Sequence, residues 1–274
     1  MPANPEEKVR QHMAEVVAMA RERAPEVAAL FEPFVQQYYG LADAEDVVSR
    51  SVADLYGAAM AHWQLGQKFV SGEPRIRIYN PTLDQHGWHC SHTVVEIVND
   101  DMPFLVDSVT MEINRQGLAL HSAFHPVYRI RRDAAGKRLS VAPGSSPAGK
   151  EGEDDGSRFE SYIHIEVDRF SEPERIQALV DGLQRVLGDV RAAVDDWRAM
   201  QAAAHAAIES LTERAAQQGV AAQERAEIDE AQAFLDWMLQ RHFTFLGYRD
   251  YELVERDGEH YLQGVPGTGR GVRG

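Results

Sequence analysis

Only one cysteine, Cys90, occurs in the 274 residues, so no disulfide can form within the chain and a reducing compartment suits it. Lysine is nearly as scarce. The four present (Lys8, Lys68, Lys137 and Lys150) all fall outside segments patterned like a buried pocket. Nothing approaches the ~18 consecutive apolar residues of a membrane span, and MPANPEEKVR has no apolar core of the kind a secretory leader carries. A cytoplasmic location with no membrane partner is expected. Positive charge is in deficit as well: 28 Lys and Arg against 43 Asp and Glu leave −15, which argues against a nucleic-acid partner. G-x-S-x-G, G-x-x-x-x-G-K-[ST] and H-E-x-x-H are all missing. The letters of G-x-G-x-x-G occur at Gly269–Gly274, but in a glycine-rich tail without the strand–turn–helix that motif needs. No catalytic residue and no bound cofactor is expected within these residues.

Enough apolar residues are present, at 44%, for ordinary packed cores, and the length suggests about two domains. Residues 5 to 70 read as helical, a bundle of three or four, from Val9, Met13, Val16, Val17 and Ala20 through to Leu55, Ala59 and Trp63. Pro25 and Pro33 limit straight continuation, and Gly40 closes the second helix. PRIRIY (74–79) alternates as a strand and NPTLDQHGW follows as a turn.

From about residue 88 to 188 the order is strand, helix, strand, strand, helix. HTVVEIVND carries apolar residues on both sides, which suggests burial on both faces. Met102, Leu105, Val106, Val109 and Ile113 mark a helix that ends at Gly117. LALHSAFHPVYRI and SRFESYIHIEVDRF are the next strands, separated by a Gly-, Ser- and Pro-rich stretch, 132–157, read as a mobile hairpin loop. Ile176 to Leu187 repeats as a helix, DVRAAV follows as a short closing strand, and the sum is a ferredoxin-like unit. Residues 195–240 then read as helical, with a break near Gly219. FTFLGYRDYELVERDGEHYLQ alternates on either side of Asp257-Gly258, a hairpin that opens a further domain. The fold class is α+β.

Three groups of residues draw attention as sites. HGWHCSH gathers His86, His89, Cys90 and His92 in seven residues. A structural zinc site usually takes four ligands from two separated pairs. No second Cys/His pair exists, so no metal site is expected. Asp154-Asp155 and Asp195-Asp196 read as a solvated loop and a helix start rather than catalytic dyads. What remains is the turn Asn99-Asp100-Asp101-Met102-Pro103-Phe104-Leu105 between the first strand and first helix. One reading is capping, with Asp101 bonding the first N–H groups and Pro103 in the first turn. The other is an anion or amino-acid corner, in which backbone N–H groups accept a carboxylate while Asp100 or Asp101 attracts an ammonium.

The run VVEIVNDDMPFLVDSVTMEINRQGLALHSAFHPVYRIRRD, with PRIRIYNP, SRFESYIHIEVDRF and FLDWMLQRHFTFLGYRDYEL, resembles the N-terminal region of the large bacterial NAD-specific glutamate dehydrogenases. That family begins with ACT-type regulatory domains separated by helical segments and carries its catalytic domain far downstream. The resemblance implies a helical segment at 1–73, an ACT-like βαββαβ domain at 74–194, a helical connector at 195–241 and the first strands of a second, truncated ACT-like domain at 242–274. It implies NAD and glutamate oxidation in the full-length protein, with a non-catalytic regulatory or oligomerisation role for these residues. The expected partners are further copies of the chain, a small amino-acid effector and the catalytic domain of the same chain. The ligand edge carried over is Asn99 to Leu105. ACT ligand sites commonly carry a glycine after the proline of this turn; Phe104 stands there instead, narrowing backbone access and suiting a protein–protein surface as well. The alternative role is a purely structural scaffold with no ligand.

Overall fold

The structure, a computed structural model, describes residues 5–40, 42–144 and 156–272. Two compact units form, residues 1–187 and 188–274, with the boundary inside a single long helix.

The first unit opens with α1 (Pro5–Arg23), α2 (Ala28–Gly40), α3 (Ala44–Val48) and α4 (Val52–Leu65). Their apolar stripes converge: Val16 and Ala20 of α1, Phe31, Phe34 and Tyr38 of α2, and Leu55, Ala59 and Trp63 of α4 are all buried. Ser51 caps α4 by accepting from the Asp54 N–H at 3.1 Å, a reciprocal arrangement because the Ser51 hydroxyl also reaches the Asp54 carboxylate. Pro33 does not end its helix. It lies inside α2 just past the first turn, where a missing N–H costs only one backbone bond.

Then come β1 (Arg75–Tyr79), α5 (Leu83–His86), β2 (Thr93–Asp100), α6 (Leu105–Arg115), β3 (Leu120–Phe124), β4 (Val127–Arg132), β5 (Arg138–Pro143), β6 (Ser157–Val167) and α7 (Pro173–Asp195). The strands make one antiparallel sheet in the order β1-β2-β6-β4-β5, with β3 also on β6. Strand β2 is buried on both faces, as its pattern implies. One face carries Val98, Tyr128, Ile130 and Tyr162 and shares a core with α1, α2 and α4. The other carries Val95, Ile97, Ile163 and Ile165, and is left for α6 and α7, whose Leu105, Val109, Leu179 and Leu183 are buried. Gln116 joins those two helices by donating to the Ala178 carbonyl at 3.0 Å.

Two expectations need correction. DVRAAV is not a closing strand but the last turns of α7. In a βαββαβ unit that strand would lie beside the first one, and here β1 already holds the position next to β2. The stretch after Arg132 is not all loop. Asp133 accepts N–H groups from Ala135 and Lys137, Gly136 takes φ +80°, and the chain returns as β5 against β4. Residues 145–155, including Asp154 and Asp155, lie outside the described residues.

The second unit holds α8 (Trp197–Ala216) and α9 (Ala222–Trp237), broken at Gly219 with φ +89° as expected, and one π-helical turn at 238–242. Strand β7 (Gly247–Tyr248) pairs with β10 (Arg270–Gly271). Between them β8 (Tyr251–Arg256) and β9 (Glu259–Gly264) form the hairpin, with Asp257 and Gly258 both at positive φ. Gly271 belongs to β10 and donates its N–H to Asp196 at 2.6 Å; it is no part of a nucleotide loop.

Candidate functional site

The corner between β2 and α6 divides its seven residues among different tasks. Asn99 is buried opposite Ser161 of β6, and Leu105 is buried at the start of α6. Asp101 donates its N–H to the Phe159 carbonyl at 2.9 Å and accepts the Ser161 hydroxyl at 2.6 Å. That hydroxyl in turn accepts from His125 Nε2 at 2.9 Å. Burial holds the His125 pKa below its ordinary value although Asp101 pulls the other way, so the ring is neutral and donates through this nitrogen. Asp101 therefore ties two strands together and does not cap α6. The position before α6 belongs to Phe104, which has no side-chain cap bond and stands in the left-handed region at φ +70°. Pro103 and Phe104 are exposed and Met102 half-buried. That φ is one glycine favours, so an L side chain stands here in backbone it rarely adopts.

One of the seven reaches a cavity. Asp100 sits opposite Glu160 at the end of β2 and accepts the Gly72 N–H at 2.8 Å. It lines a cleft of about 340 Å³ together with Phe69, Val70, Arg132, Asp133 and Arg158 among others. Within it, Arg132 grips Glu160 with two bonds of 2.6 and 2.7 Å and also donates to the carbonyls of Gly66 and Gly136. Burial raises the Glu160 pKa, and the Arg132 hydrogen bond and charge oppose that rise. Apolar walls, two arginines and carboxylates at Asp100 and Asp133 make a small site of mixed charge.

Sequence reasoning missed Arg132, Asp133, Arg158 and Glu160. A signal existed in SRFESYIHIEV. Read at every second residue, it places Arg158, Glu160, Tyr162, His164 and Glu166 on one face of β6, where a half-buried strand ordinarily carries apolar residues. That row runs along the face covered by α1 to α4. Arg158 and Glu160 open into the cleft. Tyr162 packs against Phe34 with ring centroids 5.3 Å apart. His164 lies beside Glu96 and Glu166. His62 of α4 joins them. Its Nε2 donates to the Ile97 carbonyl and its Nδ1 accepts the Tyr38 hydroxyl, the neutral form that burial enforces by lowering its pKa.

Residues 87–92, just ahead of β2, are irregular. Cys90 and His92 come close to Glu166, and burial raises the Cys90 thiol pKa to about 11.

Comparison with known proteins identifies the family. Residues 34–183 match the family profile described as glutamate dehydrogenase, ACT1 domain. The chain is 40% identical over 245 residues to the NAD-specific glutamate dehydrogenase of Halomonas elongata, covering 89% of this chain and 15% of that protein. It is 36% identical over 226 residues to the enzyme of the same description from Pseudomonas aeruginosa, covering 82% and 13%. The corresponding Mycobacterium tuberculosis protein is 26% identical over 212 residues. The chain thus spans less than a sixth of the length of these relatives, by a match through both the helices and the sheet of the first unit. It belongs to the glutamate dehydrogenase ACT1 domain family.

Proposed function

We propose that these residues form the N-terminal regulatory and assembly region of an NAD-dependent glutamate dehydrogenase, with the oxidation of L-glutamate to 2-oxoglutarate and ammonia carried out elsewhere in the polypeptide. On this reading NAD binds only in the full-length protein, in the cytoplasm. No helix among the described residues is long and apolar enough to cross a membrane. The role of this region is to bind a small amino acid in the cleft beside Asp100.

The observation that carries the reading is the charge layout of that cleft. Arg132 and Glu160 bind one another, and Asp100 and Arg158 line the same opening. An α-ammonium suits Asp100 and an α-carboxylate suits Arg158, whose planar fork takes carboxylates bidentately. At about 340 Å³ the cleft sits at the small end of ligand pockets, of roughly 300–1,000 Å³, which favours an amino acid over a nucleotide. Calorimetric titration of the chain with a panel of amino acids tests this. Binding should appear for at least one, and Arg158→Leu and Asp100→Asn should each abolish it. Silence across the panel sinks the effector reading.

Exposed Phe104 and Met111 of the α6 edge support a second reading, a scaffold that meets another protein surface. The outer strand β1, paired on one side only among the described residues, offers an edge for self-association. Sedimentation of wild type against Phe104→Ser separates a contact role from an effector role.

A further inference from the structure

We propose that Cys90, His92 and Glu166 form a binding site for one divalent transition-metal ion of the zinc class. Two groups of potential donors occur among the described residues, and in each the donor atoms lie within 4.8 Å of one another. The first, His62, Glu96 and His164, is closed. Both nitrogens of His62 are engaged, Glu96 holds Arg77 and Tyr79, and all three side chains are fully buried. The second, Cys90, His92 and Glu166, is built differently.

Its donors come from two places that the sheet register joins. Val94 pairs with Glu166 in β6, so the irregular turn just ahead of β2 is held against the Glu166 carboxylate. His92 Nδ1 stands 3.2 Å from Glu166 Oε2. Metal–nitrogen and metal–oxygen bonds of about 2.0–2.2 Å, arranged tetrahedrally, put two such donors about 3.3 Å apart. The pair is therefore already at ligand spacing, and the Cys90 sulfur, within 4.8 Å of both donors, is the third of the set. Sulfur, imidazole and carboxylate together select a borderline ion over magnesium or calcium, which take oxygen.

The surroundings fit a ligand set. The second oxygen of Glu166 is bound by Arg50 and faces His164 Nε2 at 3.3 Å, so the carboxylate is oriented from behind and presents Oε2. Outer hydrogen bonds of this kind fix metal-binding carboxylates. The thiolate and carboxylate bring two negative charges to the ion, and Glu166 meets Arg50 through its other oxygen. Cys90 and Glu166 are buried, whereas the His92 side chain is 31% exposed, and this opens the site to solvent on one side. In the proposed site water from that side is the fourth ligand. The competing arrangement is a metal-free hydrogen-bonded cluster of the same three groups.

Untagged, metal-free full chain is titrated with Co²⁺ and then with Zn²⁺, following absorbance and metal content. Uptake of one ion per chain is expected, with thiolate-to-cobalt charge transfer and intense visible bands of tetrahedral cobalt, all displaced by zinc. Cys90→Ser should lose the charge-transfer band. Arg50→Gln, a positioning residue, should weaken cobalt binding about 10–100-fold while keeping the band. His121→Gln should bind as wild type, because that ring stacks on His92 with centroids 4.1 Å apart and donates nothing to the ion. Zinc should raise the melting temperature of wild type and not of Cys90→Ser. Absence of stoichiometric uptake by wild type, or cobalt bound without a thiolate band, would overturn the proposal whether or not the variants fold.

Discussion

Phe104 occupies backbone that an L side chain enters at a cost of about 1–2 kcal/mol, yet its ring is 47% exposed and recovers little of that by burial. Phe104→Gly is expected to raise stability by about 1 kcal/mol, read as a higher melting temperature. A drop would mean the ring makes a contact that offsets the strain. The Arg132–Glu160 pair has the opposite character: its side chains are only 11% and 3% exposed. Removing one partner strands a buried charge, so Arg132→Met should cost about 3–5 kcal/mol in urea unfolding, and adding Glu160→Leu should recover much of it. Glu112 gives a pH signature. Hydrogen bonds from Arg115, together with those from Gln116 and the charge of Arg185, hold its pKa at about 2 against an ordinary 4.5, despite burial. A carboxylate depressed on folding stabilises fully above the unfolded value and loses that contribution as pH falls through the folded one. Melting temperature should therefore fall between about pH 4.5 and 2 in wild type, and Glu112→Gln should flatten that part of the profile.

At the scale of elements, close packing overrides local preference in α4. Gly57 is mid-helix, where alanine is favoured by about 1 kcal/mol. A Cβ there, however, would collide with Trp88, whose Cδ1 would lie only 2.8 Å away. Trp88 is 1% exposed and has no room to retreat. Overpacking of about 1–3 kcal/mol then exceeds the propensity gain, and Gly57→Ala is expected to lower the urea midpoint. Much of the element order was legible: α6 stopping at Gly117, the break at Gly219 and the Asp257-Gly258 hairpin all follow from local rules. The end of α7 was not, because whether DVRAAV becomes helix or strand depends on β1 having taken the edge beside β2. The candidate cleft was legible only through Asp100. Arg132 and Arg158 lie on neighbouring strands, and only strand pairing brings them together.

Across the whole molecule the two units differ in how much they bury. The six-stranded sheet has helices for both faces, whereas β8 and β9 expose Tyr251, Leu253, Tyr261 and Leu262. A lone two-stranded hairpin is marginal in water. Amide hydrogens of β8 and β9 should therefore exchange orders of magnitude faster than those of β2 and β6; equal protection would show the hairpin is covered. Composition, charge and the alternation of short strands with amphipathic helices determined an α+β chain lacking nucleotide and nucleophile motifs, because these depend on neighbours three or four residues away. The tertiary structure alone decided that α1 to α4 share a core with the sheet, and that Asp100 lines a cleft with Arg158 while Asp101 binds Ser161. It also decided that Glu166 stands beside Cys90 and His92. Those outcomes rest on register, and register is set by which face of each strand finds apolar cover from residues far along the chain.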